Sequence, residues 1–436
     1  MIVIYLSLLA ALLLVNRYFF GSLIKPNDVF NCIWCVFGGL TSMGVLGFYK
    51  TSLIVNLMVI VTILSFNLAY ICVYCIRNRH RSLNKGECCR WNGYSPLTLE
   101  NTNVNIKLIL ALNVFSWIFS LPYLARSLKI LFTEGFVAIR MYTYTYGEEA
   151  AIASTNAQLF FTWIVQPVFA ATMTVCAASI VLSLKHRILL LGVSMADVVV
   201  YTLLFGGRGT VLKLVSFLVI GVIVVSGKKL IGFVSKHKGI ICLLLFLLAV
   251  ILKLITARSF VGMSIIKNIY AYVAGPFVFL DAVLEGNPVG DTVLWGSATV
   301  GCITSVLGAV GKLLLGIDFT APENSIPGIT AAYLYIGENV KFNSMTTMIY
   351  PFLLDFGYPG VVIGPFIFGA FVALIEKNFR KELSLRSLCL FIYVFHTVVF
   401  SVQNYTYFKL EALSIIVFIL IFTTGMKISG GKIKLW

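Results

Sequence analysis

Apolar runs of roughly 17 to 25 residues recur along the whole chain, each about long enough to cross a hydrocarbon core as a helix. Short polar segments separate them. The pattern predicts about eleven transmembrane helices, at 2–20, 29–49, 53–76, 108–124, 159–184, 188–205, 210–225, 240–255, 348–375, 388–401 and 413–424. Nothing alternates with the two-residue period of a transmembrane barrel strand. Three features remain on one face: a loop at 125–156, a tight hairpin Gly206-Gly207-Arg208-Gly209, and a long segment at 256–347. Within that segment, 262–284 and 291–315 are apolar, but one extra span would invert the end of the topology. They are therefore expected to be interfacial or re-entrant helices covered by protein. The first apolar run has no basic residues before it and no small-residue cleavage site, so no cleaved leader is expected.

Composition agrees with this pattern. Of 436 residues, 59% are hydrophobic and 11% charged, with a mean hydropathy of +0.96, too apolar for a soluble globule. The expected fold class is an all-α polytopic membrane protein forming a single integral domain over 1–436. The net charge of +16 does not point to nucleic acid, because the basic residues follow the predicted loops. If the loop at 77–107 is cytoplasmic, that face holds 21 of the 33 Lys and Arg, including Lys25, Arg77, Lys377 and Arg380, against five acids. This positive-inside bias sets the N-terminus outside and the C-terminus inside. The ten cysteines form no disulfide framework. Cys32 with Cys35, and Cys72 with Cys75, have CxxC spacing but no nearby His or second pair, so packing is the simpler reading.

Candidate chemistry lies on the outer face. Arg126, Arg140, Arg208 and Arg258 break the positive-inside trend there. Each could snorkel to headgroups, but Arg208 sits among three glycines, where backbone N–H groups and a guanidinium can approach one ligand closely. A guanidinium grips a pair of phosphate oxygens through two parallel hydrogen bonds, so converging arginines suit a lipid-linked diphosphate. The chain carries no DxD, HExxH or outer Asp cluster, so no metal and no cofactor is expected. Tyr142, Tyr144 and Tyr146 alternate after Arg140 in RMYTYTYGEE, which as an extended segment would put their rings on one side for stacking on sugars. Tyr270 and Tyr272 in IYAYVAGP offer the same. Both sets fit an interfacial aromatic belt equally well. Among the outer acids, Asp355 in PFLLDFGYPG is the candidate base, with helix capping or pairing to an arginine as the competing role. Asp197 and His396 fall inside spans, where a polar neighbour is the plainer expectation.

These residues resemble those of the Wzy-type oligosaccharide repeat-unit polymerases of bacterial envelopes. The resemblance covers most of the chain: the layout with a large outer loop before the last spans, LLFGGRGTVLKLV around Arg208, NIYAYVAGPFVFLDAVL, and TTMIYPFLLDFGYPGVVIGPFIFGAF. It implies a metal-independent, inverting glycosyltransferase in the bacterial inner membrane. A growing O-antigen or capsule glycan would pass from undecaprenyl diphosphate to the next lipid-linked repeat unit on the periplasmic face. Arg208 would grip diphosphate with Arg140 and Arg258 as companions, Arg126, Tyr142, Tyr144, Tyr270 and Tyr272 would bind substrate, and Asp355 would assist the acceptor hydroxyl. The partners implied are the lipid-linked donor and acceptor, membrane lipid and a chain-length-regulating co-polymerase. Two other readings stay open. An O-antigen ligase has a similar outer loop but usually a His in it, which this loop lacks. A lipid-linked oligosaccharide flippase would line a central cavity with charges and often show internal duplication, and no repeat is visible here.

Overall fold

The computed structural model describes residues 1–20, 25–81, 102–143, 152, 155–226, 264–286, 293–316, 333–342, 345–424, 426–429 and 432–435, with scattered positions between 239 and 250. The helices in chain order are α1 (Ile2–Phe20), α2 (Pro26–Thr41), α3 (Leu53–Arg81), α4 (Ile106–Glu134) and α5 (Phe136–Thr143). Then α6 (Thr155–Phe160) runs through a π turn (Phe161–Val165) into α7 (Gln166–Val181), followed by α8 (Arg187–Phe205) and α9 (Gly209–Ser226). After α10 (Ile265–Gly286) and α11 (Gly301–Leu315) comes a small hairpin, β1 (Leu334–Gly337) and β2 (Val340–Phe342). The chain continues with α12 (Ile349–Phe356), α13 (Gly360–Glu382), α14 (Leu385–Phe400), α15 (Leu410–Phe422) and a second hairpin, β3 (Met426–Ser429) and β4 (Lys432–Leu435). Among the described residues, α1, α3, α4, the α6–α7 rod, α8, α9, α10 and α13 are eight helices long and apolar enough to cross a membrane, and α14 and α15 are shorter apolar helices. The described residues are mostly helical, and the chain is of the all-α, multi-pass membrane class.

Several boundaries differ from those the hydropathy pattern predicts; the helix expected at 29–49 already ends at Thr41. The helix expected at 108–124 continues past Pro122 to Glu134, so Arg126 stands on a helix rather than in a loop. The expected span 348–375 breaks between α12 and α13, where Gly357 takes φ 62° and Pro359 cannot continue the helix. Of the segment at 262–284, expected to be interfacial or re-entrant, the described part belongs to α10, one of the helices long and apolar enough to cross a membrane. Its acid Asp281 accepts hydrogen bonds from the Ser52 backbone N–H and from Ser52 Oγ, the latter at 2.7 Å. Residues 291–315 contribute only the 15-residue α11, about 22 Å long and short of a hydrocarbon core.

The chain divides into two compact units. The first comprises 1–93, 263–378 and 397–410, the second 94–262, 379–396 and 411–436. In the first unit Phe30 stacks on Phe66 with ring centroids 3.9 Å apart, and several buried polar side chains pair across helices. Tyr5 Oη donates to Asn56 Oδ1 at 3.0 Å, Asn31 Nδ2 to Asn67 Oδ1 at 3.0 Å, and Trp34 Nε1 to Ser401 Oγ at 2.8 Å. At one end of this unit the buried Lys25 ammonium lies 4.0 Å from Glu376 and over the rings of Phe20 and Tyr74. Lys377 donates to the Val73 carbonyl at 3.0 Å near the same end. At the other end, β1 pairs with β2, and Tyr49 N donates to Ile336 O at 2.9 Å, docking the hairpin on the turn after α2.

In the second unit α7 is almost wholly buried and packs against α8 and α9. His396 on α14 lies 2.6 Å from Ser216 Oγ through Nδ1 and edge-on to Phe217, the hydrogen-bonded packing role expected for it. Glu411 accepts from Lys213 at 2.7 Å.

Helices α3 and α13 approach so closely that a Cβ on Gly369 would collide with the Phe66 carbonyl. Backbone cannot move aside as a flexible side chain can. Gly369→Ala is therefore expected to destabilise the solubilised protein by roughly 1–3 kcal/mol, whereas Gly311→Ala, whose Cβ meets nothing within 4 Å, should leave the thermal unfolding midpoint unchanged or slightly raised.

Candidate functional site

The arginine hairpin begins where α8 ends. Gly206 caps α8 in the left-handed conformation at φ 54° and ψ 22°, which a residue with a Cβ adopts only at a cost. The chain then turns through Gly207 and Arg208 into α9. Leu212 N donates to Arg208 O at 3.2 Å, so Arg208 occupies the N-cap position of α9. Its side chain is half-buried. A guanidinium at a helix N-terminus, where free backbone N–H groups also point outward, adds two sources of positive potential at one point.

An aromatic bridge ties this hairpin to α4. Tyr123 on α4 meets Phe161 with centroids 5.5 Å apart, Phe161 meets Phe205 at 5.7 Å, and Tyr201 packs on Phe205 at 4.7 Å. Arg126 follows Tyr123 by three residues and Arg208 follows Phe205 by three. The two arginines thus lie toward the same end of the second unit, just beyond a shared aromatic layer. Phe161 begins the π turn, in which Gln166 N bonds back five residues to Phe161 O. Pro167 accounts for it: a proline cannot donate to Trp163 O, and its ring crowds that carbonyl, so the preceding turn widens.

Helix α5 joins the same end, packing against α4 and α8 and carrying Arg140 in its backbone. Tyr142 lies in this helix, so the extended arrangement expected for the tyrosine run does not hold there. Eight helical residues follow Gly135, and the Tyr142 hydroxyl donates to Glu134 Oε1 at 3.2 Å, stitching α5 to the end of α4. Tyr144, Tyr146 and Arg258 lie outside the described residues.

The remaining candidates belong to the first unit. Tyr270 is buried in α10, where its hydroxyl donates to the Leu40 carbonyl at 2.8 Å and its ring packs 5.0 Å from Phe48. That role joins α10 to the end of α2. Tyr272 is half-buried on the same helix. Asp355 is fully buried. It accepts from Ala298 N at 2.8 Å and from both the backbone N–H and the hydroxyl of Thr299. It thereby caps the turn that opens α11, the alternative role for this acid, and both carboxylate oxygens are engaged. Beside it the Tyr405 ring, 4.7 Å from Phe352, is buried enough that its phenol is pushed well above its ordinary range, first by desolvation and then by neighbouring Tyr407, Cys302 and Asp355.

Sequence reasoning did not find the aromatic bridge or the π turn. Their signals were present, an aromatic residue three positions before each of Arg126 and Arg208 and a proline inside an apolar run, but neither has meaning until the helices are packed. Among the described residues no group of three or more His, Cys, Asp or Glu could hold a metal ion. No family model matches the chain, and no match is found among curated proteins or solved structures.

Removing the Asp355 carboxylate leaves two backbone donors and a hydroxyl without their acceptor. Asp355→Ala should cost roughly 2–4 kcal/mol of stability, read as a lower unfolding midpoint in detergent, with Asp355→Asn recovering part of it. An unchanged midpoint in Asp355→Ala would show that the cap is not stabilising.

Proposed function

We propose that this protein polymerises lipid-linked oligosaccharide repeat units. The observation that carries the reading is the glycine-set hairpin with Arg208 at the N-terminus of α9, at the end of its unit that Arg126 also approaches. An anion with several oxygens and about two charges is the ligand such an end would hold best. A polyprenyl diphosphate presents that headgroup at the membrane surface, with its chain in the hydrocarbon.

In this reading the arginine-bearing end faces the periplasm of a bacterial inner membrane. The acceptor sugar hydroxyl attacks the anomeric carbon of the growing glycan from the face opposite the leaving group. The bond from that carbon to the diphosphate oxygen breaks, the electron pair leaves with undecaprenyl diphosphate, and the hydroxyl proton passes to solvent. Inversion follows from the single displacement. Arg208, with Arg140 and Arg258, stabilises the charge that develops on the leaving diphosphate, so a divalent ion is not required. Asp355, held in its cap, is left out as a base; a diphosphate leaves readily enough for the hydroxyl to act without one. Tyr142, which follows Arg140 on α5, is assigned to sugar contact in this reading.

Arg208→Ala should lower chain elongation by about a hundredfold or more at unchanged protein level, measured as the length distribution of lipid-linked glycan in cells. Arg208→Lys keeps the charge without the planar fork and should fall between the two. Full elongation by Arg208→Ala would remove this residue from the site.

A further inference from the structure

A buried polar layer inside the second unit has no part in that reaction. Asp197, on α8, is fully buried. One carboxylate oxygen, Oδ1, accepts from Trp117 Nε1 on α4 at 2.8 Å, while Oδ2 is buried without a hydrogen-bond partner. One helical turn before Trp117, Asn113 donates through Nδ2 to Ile109 O at 2.8 Å and to Thr172 Oγ1 on α7 at 2.9 Å. Those two acceptors fix the orientation of the amide, so Oδ1 is the atom facing away, and it too is buried without a partner. Ser116 Oγ, between them on α4, is a third such oxygen.

A second contact joins α7 to α8. Thr172 precedes Cys176 on α7 by one turn, and Cys176 lies against Ser194 and Asp197 on α8. Asp197 Oδ2, Asn113 Oδ1 and Ser116 Oγ thus share a layer of three helices and have acceptor capacity that no hydrogen bond fills. An unpaired carboxylate in an apolar interior is costly, yet among the described residues no basic side chain offsets its charge. Lys213 on the neighbouring α9 is paired with Glu411. On α4, Lys107 and Arg126 stand about 13 Å or more along the axis from Trp117, and α7 carries no charged residue.

We propose that Asp197, Asn113 and Ser116 form a site for one dehydrated monovalent cation of sodium size. A single carboxylate balances a single charge, and neutral amide and hydroxyl oxygens supply the remaining ligands, the donor set a hard cation prefers. A divalent ion would leave one charge uncompensated. This site stands independently of the polymerase reading, because its oxygens are set within the helices and not at the arginine-bearing end.

The test uses the full-length protein in detergent, titrated with sodium chloride against choline chloride at constant ionic strength, with the thermal unfolding midpoint as readout. The midpoint should rise by several degrees and saturate with sodium. Asp197→Asn, which keeps the shape and removes the charge, should lose this dependence. The milder Ser116→Ala should shift the half-saturating sodium concentration upward by about tenfold, which keeps the test decisive should Asp197→Asn not fold. Equal midpoints in sodium and choline would overturn the proposal. A midpoint that follows pH but not sodium would do the same, assigning the missing charge to a proton on Asp197.

Discussion

A polar group among apolar helices has no water to fall back on, so its partner must come from the chain itself. That constraint organises both units. In the first, Asn31 meets Asn67, Tyr5 meets Asn56 and Trp34 reaches Ser401 across hundreds of residues of sequence. In the second, Asn113 meets Thr172, Trp117 meets Asp197 and Ser216 meets His396. Apolar packing alone would let such helices slide and rotate against one another, because lipid tails are as good a neighbour as another leucine. The paired polar side chains fix which faces meet.

The same constraint separates anchoring residues from those available for chemistry. Asp355 and Tyr270 are consumed by structural hydrogen bonds, and Asp281 is held by Ser52. The half-buried Arg208 differs: the glycine turn before it and the helix it caps bring positive potential to an end of the unit. Positive potential at an end of a unit is where an anionic ligand can approach. The buried layer around Asp197 is the interior counterpart, where pairing within the chain is incomplete.

Much of the architecture was legible in the amino-acid sequence because span length is set by the thickness of hydrocarbon, so runs such as 2–20 and 188–205 mark their helices almost to the residue. Hydropathy failed where backbone geometry decides. It merged α12 with α13 because Gly357 and Pro359 add little polarity, and it ended α4 near residue 124 although the helix continues to Glu134. The pairing of Asp281 with Ser52 joins residues more than two hundred positions apart and was not legible either. The turn at Arg208 was visible from its glycines alone. Its company was not, because the Tyr123–Phe161–Phe205 bridge and the π turn are properties of packed helices. At Tyr142 the extended strand or loop that a period of two suggested gives way to α5, which packs on α4 and α8.

The measurement that bears most directly on the proposed reaction is elongation by the purified protein in liposomes, supplied with a lipid-linked oligosaccharide repeat unit in the presence of a chelator of divalent ions. The account predicts a ladder of longer lipid-linked glycans with release of undecaprenyl diphosphate. Movement of the lipid-linked unit across the bilayer with no lengthening of its glycan would contradict it.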